Sequence, residues 1–331
     1  MNILVFGSGT IGILYGWAFT EAGHHVTHYI RPGGSNTFQN GPVTIAVQDR
    51  RSRAFRPQNR TYEPPFVHTF YPSDHYDLIL VPVTHRHVRA TLETLQNRAG
   101  DATILFFGNQ WETFGDIEHE LAGRYLFGFP QNGGALQNNI LEGTLTSQVV
   151  LAEPDGRFTN RLKDIQALFE QSGFAPRLEP DFKGWSRVHF AWNAATMSVA
   201  LREGGMLNYA HHFGAIRHSF RVMRETMAVV RAMGTEPRRF SESRMAYSHS
   251  FVAALITRLL FLVVPSVMTI AEKHARTSVA ELKSYYYDLY AMARRLNVQT
   301  PLFDALKPTI DALPDASLEP AAQAEWSPET A

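Results

Sequence analysis

Apolar residues 3–6 open the chain and stop at Gly7-Ser8-Gly9-Thr10-Ile11-Gly12, after which residues 10–22 carry a helical pattern closed by Gly23. A second strand is expected at 25–30, so the first thirty positions read as strand, glycine turn, helix and strand. The alternation continues downstream. Residues 77–81 form an apolar strand ending at Pro82, 85–95 a helix, and 103–107 a further strand ending in Gly108-Asn109. Strands are also expected at 125–129, 146–152 and 175–178, with a helix over 159–171 closed by Gly173. Between these units, Asn40-Gly41 reads as a hairpin turn before a strand at 43–47, and a polar Arg- and Pro-rich loop runs on through Pro65. From about Asp181 the pattern is almost wholly helical, with an amphipathic segment at 285–296 and a short helix starting at Pro301. Residues 314–331, rich in Pro, Ala and Glu, bury little and are expected to be disordered.

The glycine spacing carries chemistry because it lies between an apolar strand and a helix. Gly7 permits a tight turn, Gly9 lets the backbone approach a pyrophosphate, and Gly12 lets the helix pack closely on the strand. The amides at the helix start, Thr10 and Ile11 among them, then point at phosphates. An NAD enzyme usually places an acid after the second strand to accept from the ribose hydroxyl. This chain instead has His28, Tyr29, Ile30 and Arg31. A guanidinium suits a 2′-phosphate, so Arg31 points to NADP(H), the alternative being a solvated loop arginine.

Composition narrows the class. The chain has 31 basic and 31 acidic side chains and no block of like charge, which argues against nucleic acid or a polybasic membrane contact. Having no Cys removes disulfides, thiolate catalysis and thiolate metal sites, and fits a cytoplasmic protein. Residues 251–268 are the most apolar stretch, but Arg258 lies inside it and Pro265 interrupts it, so a buried or dimer-facing helix is expected rather than a membrane span. The His85-Arg86-His87 trio is not read as a metal pair, because neighbours two apart on a helix diverge.

The opening ILVFGSGTIGILYGWAFTEAGHHVTHYIR, the DLILVPV and ILFFGN strands and the helical second half together resemble ketopantoate reductase (2-dehydropantoate 2-reductase), to about Leu306. The resemblance implies an α/β Rossmann domain over 1–180 and an all-helical domain of the 6-phosphogluconate dehydrogenase C-terminal type over 181–313. It also implies NADPH-dependent reduction of a 2-oxo acid in a cleft between the two; the homodimer expectation rests instead on the apolar stretch around 259–264. Asn109 matches the family asparagine that meets the nicotinamide ribose or substrate, its alternative being a loop cap. The family's lysine after DLILVPV falls at Thr84, where Arg86 is the candidate replacement for its charge.

In GWSRVHFAWNAATMSVAL the family's general-acid lysine, followed four positions later by Asn, matches His189 and Asn193, and its second helical Asn is Met197. A register placing Arg187 at the lysine position would set it six residues from Asn193, on another helix face. His189 is therefore the candidate acid, imidazolium being a competent proton donor, and a hydrogen-bonded core histidine is the alternative. Ser266 would bind the substrate carboxylate and Glu281 a substrate hydroxyl, the latter otherwise a solvated helix charge. Phe190, Trp192 and Met197 make the site more apolar than the family's, favouring a bulkier or less hydroxylated small-molecule carbonyl substrate. Two other functions stay open: a degenerate NADP(H)-binding protein without turnover, and a dehydrogenase of a secondary alcohol or amine-derived substrate.

Overall fold

The structure, a computed structural model, describes residues 1–52, 56–57, 59–121, 123–263, 272 and 279–314. The chain divides into two compact units, Met1–Lys183 and Gly184–Ala331.

In the first unit the elements run β1 (Asn2–Phe6), α1 (Thr10–Glu21), β2 (His25–Tyr29), β3 (Val43–Arg50), β4 (Arg56–Pro57), β5 (Arg60–Tyr62), β6 (Phe66–Val67), β7 (Leu78–Val81) and α2 (Val88–Leu95). They continue as β8 (Thr103–Phe107), α3 (Phe114–Leu121), β9 (Tyr125–Phe129), β10 (Gly133–Gln137), β11 (Ile140–Thr146), β12 (Gln148–Ala152), α4 (Asn160–Gln171) and β13 (Ala175–Leu178). Eight strands form one sheet in the order β13-β12-β9-β8-β7-β1-β2-β6, parallel except where β12 meets β9. The chain leaves β1 for β2 on one side and returns as β7 on the other, which makes the carboxyl ends of β1 and β7 a topological switch point. Helix α1 ends in a Schellman motif. Gly23, at φ +88°, donates to the Thr20 carbonyl and His24 donates to that of Phe19.

A second sheet, β10-β11-β3-β4 with β5 also on β3, corrects two expectations. Asn40-Gly41 is not a hairpin turn. Asn36 accepts from the Phe38 amide and caps a 3₁₀ turn, Thr37–Asn40, which Gly41 ends at φ +95°. Nor is the stretch to Pro65 only a loop, since β4 and β5 both pair antiparallel with β3. The hairpin lies at Asn138-Asn139, with φ of +49° and +58°, and joins β10 to β11. The Asn139 side-chain amide donates to the carbonyls of Thr37 and Gly41, anchoring β11 beside β3. Helix α1 packs on β1 and β2 and also on β10 and β11, so residues 12–19 are all buried. Its apolar residues on every side answer to two sheets. Tyr15 lies at the centre, stacked on Phe174 at 5.0 Å and edge-on to Phe107 at 4.7 Å, with its hydroxyl accepting from Asn132.

The second unit is helical, its first helix beginning two residues before the boundary: α5 (Phe182–Arg202), α6 (Met206–His211), α7 (Phe213–Ala232), α8 (Arg244–Tyr247), α9 (Ser250–Val263), α10 (Val279–Arg295), α11 (Pro301–Asp304) and α12 (Lys307–Asp311). The amphipathic segment expected from 285 begins six residues earlier, which puts Glu281 in the first turn of α10. Glu225 on α7 accepts from the Leu302 and Phe303 amides, capping α11, and Phe303 packs on Tyr286 of α10 at 4.5 Å. Among the described residues no helix is long and apolar enough to cross a membrane. Of the apolar stretch 251–268, residues 264–268 lie outside the described residues, as does the tail from 315.

Candidate functional site

The first unit brings the glycine turn and the ends of three parallel strands to one edge. Gly7 follows β1, Pro82 follows β7, and Gly108-Asn109 follow β8, with Asn109 buried. Each glycine has its own reason. Gly7 sits at φ +88°, where only glycine is unstrained. A Cβ on Gly12 would lie 3.2 Å from a Val5 methyl and 3.4 Å from the Gly7 carbonyl, so the helix crosses β1 at the closest approach glycine allows. Gly9 has ordinary backbone angles, and a Cβ there would meet nothing within 4 Å. The protein itself therefore does not require glycine at position 9.

Gly9 is also the N-cap of α1 and carries no side chain to satisfy the first helical amides, those of Thr10 and Ile11 among them. An open, uncapped helix start beside a glycine with free space is what a pyrophosphate needs, so the residues present fit a dinucleotide. Replacing Gly9 with alanine is expected to change stability by less than about 0.5 kcal/mol. The same change should weaken dinucleotide binding by about tenfold or more, by urea unfolding and fluorescence titration on one sample.

Arg31 is exposed and follows buried Ile30. Its carbonyl accepts from the Gly34 amide at 2.8 Å. The loop it opens is tied to the glycine turn: the Ser8 hydroxyl accepts from the Thr37 amide, and the Thr37 hydroxyl donates to the Ser8 carbonyl. Arg86, also exposed, lies in a single 3₁₀ turn after β7, where the Thr84 hydroxyl and His87 Nδ1 are 2.9 Å apart.

In the second unit His189, Asn193 and Met197 recur at four-residue intervals on α5, and all three are half-buried among buried neighbours. The His189 ring stacks on Trp185 at 5.0 Å and 14° between planes, and on Trp192 at 6.4 Å and 18°. Trp185 is fully buried and donates its indole N–H to Glu242, which fixes the base of this ladder. The 185-189-192 spacing is the sequence signal for it, since rings three and four apart on a helix share a face. Arg187 is engaged elsewhere, donating to the Met233 carbonyl and the Thr235 hydroxyl. Glu281 accepts from the Tyr285 hydroxyl at 2.6 Å, and the Tyr285 ring meets Phe190, next to His189 in sequence, edge-on at 4.7 Å. Ser266 lies outside the described residues.

Comparison with known proteins supplies the context. Residues 3–160 match the family model of the ketopantoate reductase PanE/ApbA. Comparison with curated sequences gives no match. Among solved structures, 2-dehydropantoate 2-reductase from Geobacter metallireducens GS-15 is 17% identical, with 94% of this chain and 99% of that one covered at a TM-score of 0.68. D-mandelate dehydrogenase with NADH and anilino(oxo)acetate is 12% identical, covering 94% and 97% at a TM-score of 0.74. A dimeric ketopantoate reductase from Staphylococcus aureus is 14% identical, covering 94% and 98% at 0.65. Residues 3–160, just under half of the chain, thus match the ketopantoate reductase PanE/ApbA family model, and over 94% of its length the chain carries the fold of solved ketopantoate reductases.

Proposed function

We propose that this protein is an NADPH-dependent reductase of a 2-oxo acid with a bulky apolar side chain, using His189 as general acid. The observation that carries the reading is the pairing of His189 with Asn193 one turn apart on the half-buried face of α5, in a chain whose glycine turn fits a dinucleotide. A bound reduced nicotinamide supplies the hydride. His189 donates a proton to the carbonyl oxygen as negative charge develops there, Asn193 hydrogen-bonds the substrate, and Glu281 and Ser266 hold its polar groups. Asn109 serves the nicotinamide side, and Thr10 and Ile11 offer their amides to the phosphates.

Trp192 stacks on the proposed acid and Met197 follows Asn193 by one turn on the same face, an apolar lining that favours an aromatic or branched substituent over a hydroxylated one. The D-mandelate dehydrogenase neighbour, whose structure holds anilino(oxo)acetate, agrees with that preference. A homodimer in the cytoplasm completes the reading. Phe251, Val252, Leu255, Ile256, Leu259 and Leu260 form an exposed apolar stripe on α9, and the Staphylococcus aureus neighbour is dimeric.

The test is NADPH oxidation against ketopantoate and a panel of aliphatic and aromatic 2-oxo acids, with NADH in parallel. Arg31 should decide the cofactor. Arg31→Ala is expected to raise the Kd for NADPH about tenfold or more and to leave that for NADH within about twofold, because only the 2′-phosphate loses a charge-assisted partner. Equal losses for both cofactors would make Arg31 a general phosphate or loop residue. A second reading, a cofactor-binding protein without turnover, rests on Met197 and on histidine at the lysine position. It predicts tight NADPH binding with no oxidation against any substrate in the panel.

A further inference from the structure

We propose that His28 and Tyr62 are positioning residues that set the glycine turn for its cofactor, an inference that rests on the dinucleotide reading above. His28 lies on β2 with no exposed surface, and its Nδ1 is 2.7 Å from the carbonyl oxygen of Gly7. A carbonyl only accepts, so Nδ1 carries the proton and Nε2 is left as an acceptor. The Tyr62 hydroxyl, 3.0 Å from Nε2, supplies the matching donor. Tyr62 belongs to β5 of the second sheet and is itself buried. The Gly7 carbonyl thereby selects the His28 tautomer, and the Tyr62 hydroxyl, turned to donate, satisfies the nitrogen left over and holds the ring against Gly7.

Both ends of Gly7 are fastened to β2, because its amide also donates to the Tyr29 carbonyl at 2.8 Å. In a trans peptide the C=O and the following N–H point in opposite directions. Drawing the Gly7 carbonyl onto His28 therefore turns the Ser8 amide to the other side of the turn. Gly16 is the third part of the device. A Cβ there would lie 2.6 Å from the Tyr62 hydroxyl and 2.8 Å from His28 Nε2, so glycine lets α1 cross over the pair. Burial, partly offset by the Gly7 hydrogen bond, lowers the His28 imidazole to about 4, which keeps Nε2 an acceptor at neutral pH. The excursion between β2 and β7 thus has a task beyond covering α1: it carries the hydroxyl that orders the turn.

The experiment uses the full-length protein and four forms: wild type, Tyr62→Phe, His28→Asn and His28→Gln. The Asn amide places a donor where Nδ1 was, whereas the Gln amide places one near Nε2. NADPH titration by fluorescence should give a Kd close to wild type for His28→Asn. Tyr62→Phe and His28→Gln should each raise Kd about tenfold, the effect of one lost buried hydrogen bond. Long-range ¹H–¹⁵N spectra should place the His28 proton on Nδ1 in wild type, and the Nε2 resonance should shift in Tyr62→Phe as it loses its donor. A merely structural role would lower Tm in all three variants alike and would not separate Asn from Gln. A wild-type Nε2–H tautomer, or unchanged NADPH affinity in folded Tyr62→Phe and His28→Gln, overturns the proposal while leaving the cofactor reading intact. A wild type that binds no dinucleotide overturns both.

Discussion

Replacing His189 with alanine is expected to lower kcat for NADPH-dependent carbonyl reduction by about 10²–10⁴-fold, the usual worth of a positioned general acid. The Kd for NADPH should stay within about twofold, because His189 lies in the helical unit and the glycine turn in the other. The stack on Trp185 and Trp192 sharpens the expectation, because two near-parallel indole rings hold the imidazole in one orientation. His189→Lys supplies an ammonium, itself a competent proton donor, and should recover a large part of the loss. His189→Gln keeps a hydrogen-bond donor without a transferable proton and should not. Steady-state kinetics with the best substrate of the panel, together with fluorescence titration, read the two quantities separately. An alanine variant with wild-type kcat would make His189 a packing residue of α5.

Folding stability is expected to fall as pH is lowered from about 6.5 to about 4, with His28 contributing on the order of 3 kcal/mol across that window. The direction follows from the protons bound. His28 is buried and neutral when folded, held down to about 4 by desolvation, while in the unfolded chain it titrates at its ordinary value. Between those values the unfolded state binds a proton that the folded state does not, so the contribution is complete above about 6.5 and is lost as pH falls toward 4. Burial also lowers His218 and His24, which adds to the same slope. Glu225, whose carboxyl burial raises, works in the opposite sense. Urea unfolding at pH 5 and pH 7 should therefore show a smaller difference for His28→Asn than for wild type. Equal differences for the two would mean that His28 is solvated and charged in the folded state.

The unit that holds the glycine turn is legible in the sequence because its signals are local. Gly7, Gly23 and Gly173 all take positive φ, and the strands at 103–107, 125–129 and 175–178 end where apolar runs meet turn residues. The four-residue recurrence of His189, Asn193 and Met197 is legible for the same reason, since a helix converts spacing directly into a shared face. The second sheet is not. Thr44 pairs with Ile140 across almost a hundred residues, and nothing in either segment names the other; Asn139 sets their register only once the hairpin has folded beside Thr37 and Gly41. Asn40-Gly41 misleads because the same dipeptide closes a 3₁₀ turn as readily as a hairpin, and the neighbouring Asn36 cap decides between them.

The amino-acid sequence by itself determined the strand, glycine turn and helix of the first unit, the helical character of the second unit, and the face on which His189 and Asn193 lie. Backbone conformation at glycine and helical periodicity are properties of neighbouring residues. Tertiary structure alone decided that Tyr62 would meet His28, that Gly16 would make room for them, and that Glu281 would reach Phe190 through Tyr285. These are contacts between segments distant in sequence, and what selects them is the burial of polar atoms that must find partners inside the fold.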